Sequence, residues 1–98
     1  MQAVLNNINT AMNAAEKLNY LLSSVTTSNK NDVENSIVAL GERVVDALVD
    51  KLRTLKGLQR GVVAMSLIRI GESSVAPLKA LAQDKENQWI ADYLLSEI

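Results

Sequence analysis

Four groups of side chains have the types and spacing to do chemistry. Glu42 and Glu72 each follow a glycine and stand 30 residues apart. Paired carboxylates can bind a metal or move a proton. These two occupy equivalent places in two similar segments, which puts them one structural unit apart, too far for a joint proton transfer. An acid near a helix start also favours the helix dipole without any further role. Asp46 and Asp50 are four apart and share one helix face. They could ligate a hard cation, or they form the solvated side of a helix whose other side is Val45, Leu48, Val49 and Leu52. Lys51, Arg53, Lys56 and Arg60 place four of the ten basic residues around the turn at Gly57. That cluster could meet an anion or an acidic partner, or simply complement a helix C-terminus. Trp89 and Tyr93 lie four apart on one helix. They could form a binding hot spot, or pack on Leu78 and Leu81 as the end of the core with one edge exposed.

Composition removes other chemistries. The 98 residues contain no Cys and no His. Disulfides, thiol nucleophiles, Cys or His metal sites and imidazole catalysis are therefore excluded. No cofactor is implied. Ten basic and eleven acidic residues leave a net charge of −1. A general nucleic-acid binder carries a basic excess, because phosphate contacts supply most of its affinity, so nucleic acid is disfavoured as a partner. No apolar run approaches the ~20 residues of a membrane-spanning helix. The N-terminus lacks a charged start before an apolar core. The expectation is a cytoplasmic protein with no membrane partner.

The elements that must position these groups follow from periodicity. The chain is 48% hydrophobic with only three aromatic residues, so its core is aliphatic. Residues 1–25 read as an amphipathic helix starting near Gln2, with Val4, Leu5, Ile8, Met12, Ala15, Leu18, Leu22 and Val25 in one stripe. The polar residues 26–32 form a loop. Asn31 is expected to cap a helix that ends at Gly41, with Glu34 reaching back. A third helix is expected over about 43–56 with Gly57 as its cap, and a fourth over 58–70. Gly61 inside the fourth marks a close approach to a neighbour. Ser73 or Ser74 starts a fifth, with Pro77 in its first turn, where amide protons lack helical partners. A sixth covers about 87–97.

Two segments repeat. Residues 37–52 read IVALGERVVDALVDKL and residues 67–82 read LIRIGESSVAPLKALA. Gly41 aligns with Gly71, Glu42 with Glu72, Val45 with Val75 and Leu48 with Leu78. A period of this length marks stacked helical units, each unable to bury its apolar face alone. Leu67-Ile68-Arg69-Ile70-Gly71, Val75-Ala76-Pro77-Leu78, Leu81 and Asp84 resemble a HEAT-like repeat, of the short type found in phycobilin lyase subunits. Arg60 and Ala64 also match that pattern, and Ile90, Ala91 and Leu94 begin a further copy.

The resemblance implies an all-α fold: a short α–α superhelix of about six helices. About two and a half HEAT-like units span 33–98, with the N-terminal helix as a cap and everything in one domain. It implies a protein or peptide partner held by a surface, without catalysis; the residue types and spacing above make Trp89, Tyr93, Lys51, Arg53, Lys56 and Arg60 the candidates to meet it. The alternatives are an accessory subunit of a bilin-lyase-like assembly, and an anion or nucleic-acid binder through the basic cluster. A homodimer through the N-terminal helix or the open C-terminal end is a further expectation.

Overall fold

The computed structural model describes residues 12–98. The described residues are helical and contain no strand. In chain order the elements are α1 (Ala14–Ser23), α2 (Lys30–Leu40), α3 (Val45–Lys51), α4 (Gly57–Ile70), α5 (Val75–Leu81) and α6 (Gln88–Glu97). Short 3₁₀ segments, Gly41–Val44 and Gly71–Ser74, join α2 to α3 and α4 to α5. Helical bonding thus runs almost unbroken through 30–51 and 57–81, so the described residues form four helical runs, two of them broken at a glycine.

Both breaks have one physical cause. Gly41 has φ +67° and ψ −147°, and Gly71 has φ +84° and ψ −128°. This region is open essentially to glycine alone. The 57–81 run is 25 residues long and apolar enough to cross a membrane by length and composition. Gly71 interrupts it, however, and leaves α4 as a helix of 14 residues.

The sequence repeat is also a spatial repeat. Among the described residues the α2–α4 pair makes the most extensive contact, and α3 packs on α5. Equivalent helices therefore lie side by side. Between the rows, α3 packs on α4 and α5 on α6. Equivalent positions are buried in both copies: Val33 and Val63, Ile37 and Leu67, Val44 and Ser74, Leu48 and Leu78. They join Leu18, Leu22, Leu52, Leu81, Ile90 and Leu94 in one aliphatic cluster. Each fully buried leucine contributes roughly 1.5–3 kcal/mol by leaving water.

Ser74 is buried where the first copy has Val44. Its hydroxyl donates to the Leu67 carbonyl at 2.9 Å instead of capping α5, so an oxygen at the end of α4 gains a partner. Ser66, equally buried, donates to the Val62 carbonyl at 2.7 Å. No buried side-chain polar atom is left unpaired among the described residues.

Several expected boundaries are corrected. The first helix does not run through residue 13. Asn13 is extended at ψ 174°, and its side-chain oxygen accepts the Glu16 N–H at 2.8 Å, so α1 starts at Ala14. The expected stripe residues Val4, Leu5 and Ile8 lie outside the described residues. Ala15 is exposed, while Leu18 and Leu22 are buried against the rest of the chain. Gln59 fixes the end of α1 by donating to the Leu22 carbonyl at 2.9 Å.

The second helix starts at Lys30, and Asn31 does not cap it. Asn29 instead holds the preceding turn together. It accepts from the Thr26 N–H at 2.6 Å and donates to the Ser24 carbonyl at 3.0 Å. Glu34 does not reach back to the helix start either. It pairs with Arg69 at 2.9 Å, tying α2 to α4, and the same guanidinium nitrogen donates to Asn35 at 2.8 Å. The third α-helix ends at Lys51, not near 56, and only Lys51 lies in its last turn. Gly57, with φ +59°, opens α4 rather than closing α3. At Gly61 a Cβ would meet nothing within 4 Å, so no close approach requires this glycine.

Candidate functional site

The turn after α3 and the start of α6 face each other across one groove. It encloses about 290 Å³ and is lined by Leu52, Arg53, Leu55, Lys56, Arg60, Glu86, Asn87, Trp89 and Ile90. Its walls follow from the order of elements. The loop 52–56 carries Arg53 and Lys56, the first turns of α4 carry Arg60, the α5–α6 turn delivers Glu86 and Asn87, and the first turn of α6 carries Trp89. Leu52 and Ile90 are buried beneath them and tie the rim to the core.

Arg53, in the groove lining, is tied to Asp84 just outside it. The Arg53 guanidinium donates to Asp84 at 2.7 Å, and a longer contact of 3.7 Å reaches Asp50. Asp84 also accepts from the Asn87 side chain at 2.7 Å and from the Glu86 N–H at 3.2 Å. These two bonds hold its carboxyl below the ordinary value of 3.8; desolvation opposes them with less weight, and the Arg53 charge adds a still smaller lowering. The last turn is therefore a small network built around one carboxylate.

Arg60 lies over the Trp89 ring, 5.4 Å from its centroid, a cation–π geometry. The indole is 60% exposed all the same. This corrects the expectation that Trp89 and Tyr93 pack on Leu78 and Leu81. Tyr93 is 58% exposed, and α6 turns Ile90, Ala91 and Leu94 inward instead. The reason is the position of α6, which has α4 and α5 on its inner side.

The structure brings Arg53, Lys56, Arg60 and Trp89 together, while Lys51 and Tyr93 fall outside the groove lining. Glu86 and Asn87 are part of the site and had not been singled out. Asn87 follows the polar run Asp84-Lys85-Glu86, and its bond to Asp84 spans only three residues, so the Asp-x-x-Asn spacing was a readable signal. Glu42, Glu72, Asp46 and Asp50 are all exposed. Among the described residues, no three acidic side chains converge on a point where a metal ion could sit.

A second groove of about 330 Å³ lies on the other flank of α4, against α2. Leu58, Gly61, Val62 and Met65 line it, with Lys30, Asn31 and Glu34 at its edge. No family model matches the chain, and neither does any curated protein or solved structure.

Proposed function

We propose that this chain is a HEAT-like repeat protein that works as a binding module, holding a protein or peptide partner without catalysing a reaction on it. The paired rows of helices are the start of a short α–α superhelix, with α1 as its cap. One observation carries the functional reading. Trp89 and the cations of the 53–60 turn, far apart in sequence, line a single open groove. Exposed tryptophan and arginine are the side chains that dominate binding energy at protein interfaces.

Selection from a random peptide library on the immobilised protein tests the reading. Enriched peptides should lose most of their binding to Trp89→Ala and keep it on Tyr20→Ala, an exposed aromatic outside the groove. A library that yields no enriched sequence, or only sequences indifferent to Trp89, counts against it.

A second reading is association of two copies through α6. It is favoured by the exposure of Trp89 and Tyr93 along α6 and of Ile98 just after it. Sedimentation over a range of concentrations separates the two, since only self-association makes the mass rise with concentration.

A further inference from the structure

We infer that the groove takes an acidic peptide segment. A carboxylate of the guest is held by Arg60 and Lys56, and an adjoining apolar side chain lies on the exposed Trp89 indole. The inference rests on the binding-module reading and adds the chemistry of the partner.

The charges around the groove are not equivalent. Arg53 is engaged with Asp84 and Asp50. Asp84 is itself engaged three times, by Arg53, Asn87 and the Glu86 N–H. The carboxylate of Asp84, behind Arg53, is thus already satisfied from within the chain. Lys56 and Arg60 form no ion pair among the described residues, where the pairs run Arg53–Asp50, Arg53–Asp84 and Arg69–Glu34. Three cations and one acid, Glu86, line the groove of a chain whose net charge is −1. With Arg53 offset by Asp84, the lining leaves two cations unpaired among the described residues, Lys56 and Arg60, against Glu86.

Arg60 is also held in place. Stacking over Trp89 restricts the guanidinium while leaving its N–H edge free, because a π face does not consume hydrogen-bond donors. A planar, restrained fork matches a carboxylate and loses less entropy on binding than a free side chain. The two uncommitted cations suit one or two carboxylates. A nucleic acid gains affinity from a long track of phosphate contacts, and Glu86 on this rim interrupts such a track. The half-exposed indole gives the guest an apolar platform beside the charge.

Trp89 is the only tryptophan, so its emission reports on the groove directly. The probes are a short peptide of Glu interspersed with Leu and Pro, the same peptide with Gln for every Glu, and a single-stranded RNA oligonucleotide. The Glu peptide should change the emission saturably. Arg60→Gln should weaken it by roughly tenfold or more, as for loss of a charge-assisted bond. Lys56→Gln should weaken it less, and Lys79→Gln, outside the groove, should leave it unchanged. Added salt should weaken it in parallel. An equal response to the Gln peptide would overturn the acidic-ligand inference and leave the binding-module reading standing. Preference for the oligonucleotide, or no response to the Glu peptide, would also overturn it. The library selection decides the broader reading separately. Unchanged circular dichroism confirms that each variant is folded.

Discussion

Gly41 and Gly71, 30 residues apart, hold the same left-handed backbone at the same point of two equivalent helical runs. No neighbour crowds either one, since a Cβ at each would meet nothing within 4 Å. The glycines are required by conformation and not by space.

Gly41→Ala and Gly71→Ala should therefore each destabilise the fold by about 1–3 kcal/mol, the cost of placing a side-chain-bearing residue in that region. Gly61→Ala should have the opposite sign. Gly61 lies inside α4, without a positive φ and with open space around it, so alanine should stabilise by about 0.5–1 kcal/mol. Urea denaturation of the three variants checks both signs together.

Ser74 offers a cleaner test of the second break. Its hydroxyl and the Gly71 N–H both bond the Leu67 carbonyl at the end of α4. Ser74→Ala should cost about 1 kcal/mol, because one of two donors to that oxygen remains. A loss as large as that of a buried leucine truncation, about 2–5 kcal/mol, would mean that the hydroxyl organises far more than one bond. Denaturation midpoints measure it.

Asp84 makes part of the stability pH-dependent. Its carboxyl titrates below 3.8 in the folded chain, through the Asn87 and Glu86 donors and then Arg53. The fold therefore favours the anion. The contribution is present in full above the unfolded value of 3.8 and is lost as pH falls through the lower folded value. Asp84→Asn should lower the melting temperature at neutral pH, and the gap to the parent should close in strong acid. A gap constant over pH would show that the charge plays no part.

Trp89 should separate binding from folding. Its ring is mostly exposed while Ile90, Ala91 and Leu94 anchor α6. Trp89→Ala should change stability by less than about 0.5 kcal/mol, as is usual for surface positions, yet remove most peptide binding. Melting curves and a binding titration on one preparation test both halves.

The parts of this fold that could be read in the sequence are those set by local rules. Gly41 and Gly71 announced the breaks, and the alignment of Leu48 with Leu78 in the two repeated segments announced part of the core. Asn13 was misplaced because the apolar period continues past it and asparagine is tolerated in helices. The Asn13-x-x-Glu16 spacing was the available sign of a cap. Gly57 was assigned to the wrong helix for a related reason, since a glycine between two periodic stretches fits either end.

The candidate site was legible as two halves. The cations of the turn and the aromatics of α6 each stood out alone. Their meeting depends on how α6 docks against α4, a contact across 29 residues that no local pattern encodes. The same holds for Glu34 with Arg69. The alternative that packs Trp89 on Leu78 and Leu81 with one edge exposed fails because α6 meets its neighbours through Ile90, Ala91 and Leu94, and burial of the next face would need a further helix.

The central claim is that partners bind between α4 and α6. The most direct measurement is a titration of the ¹⁵N-labelled protein with a library-selected peptide, followed by amide chemical shifts. The predicted shifts cluster on Arg53, Lys56, Arg60, Asn87 and Trp89, with the Trp89 indole N–H among the largest. Shifts centred on Leu58, Gly61 and Met65, across α4 in the groove against α2, would contradict the claim.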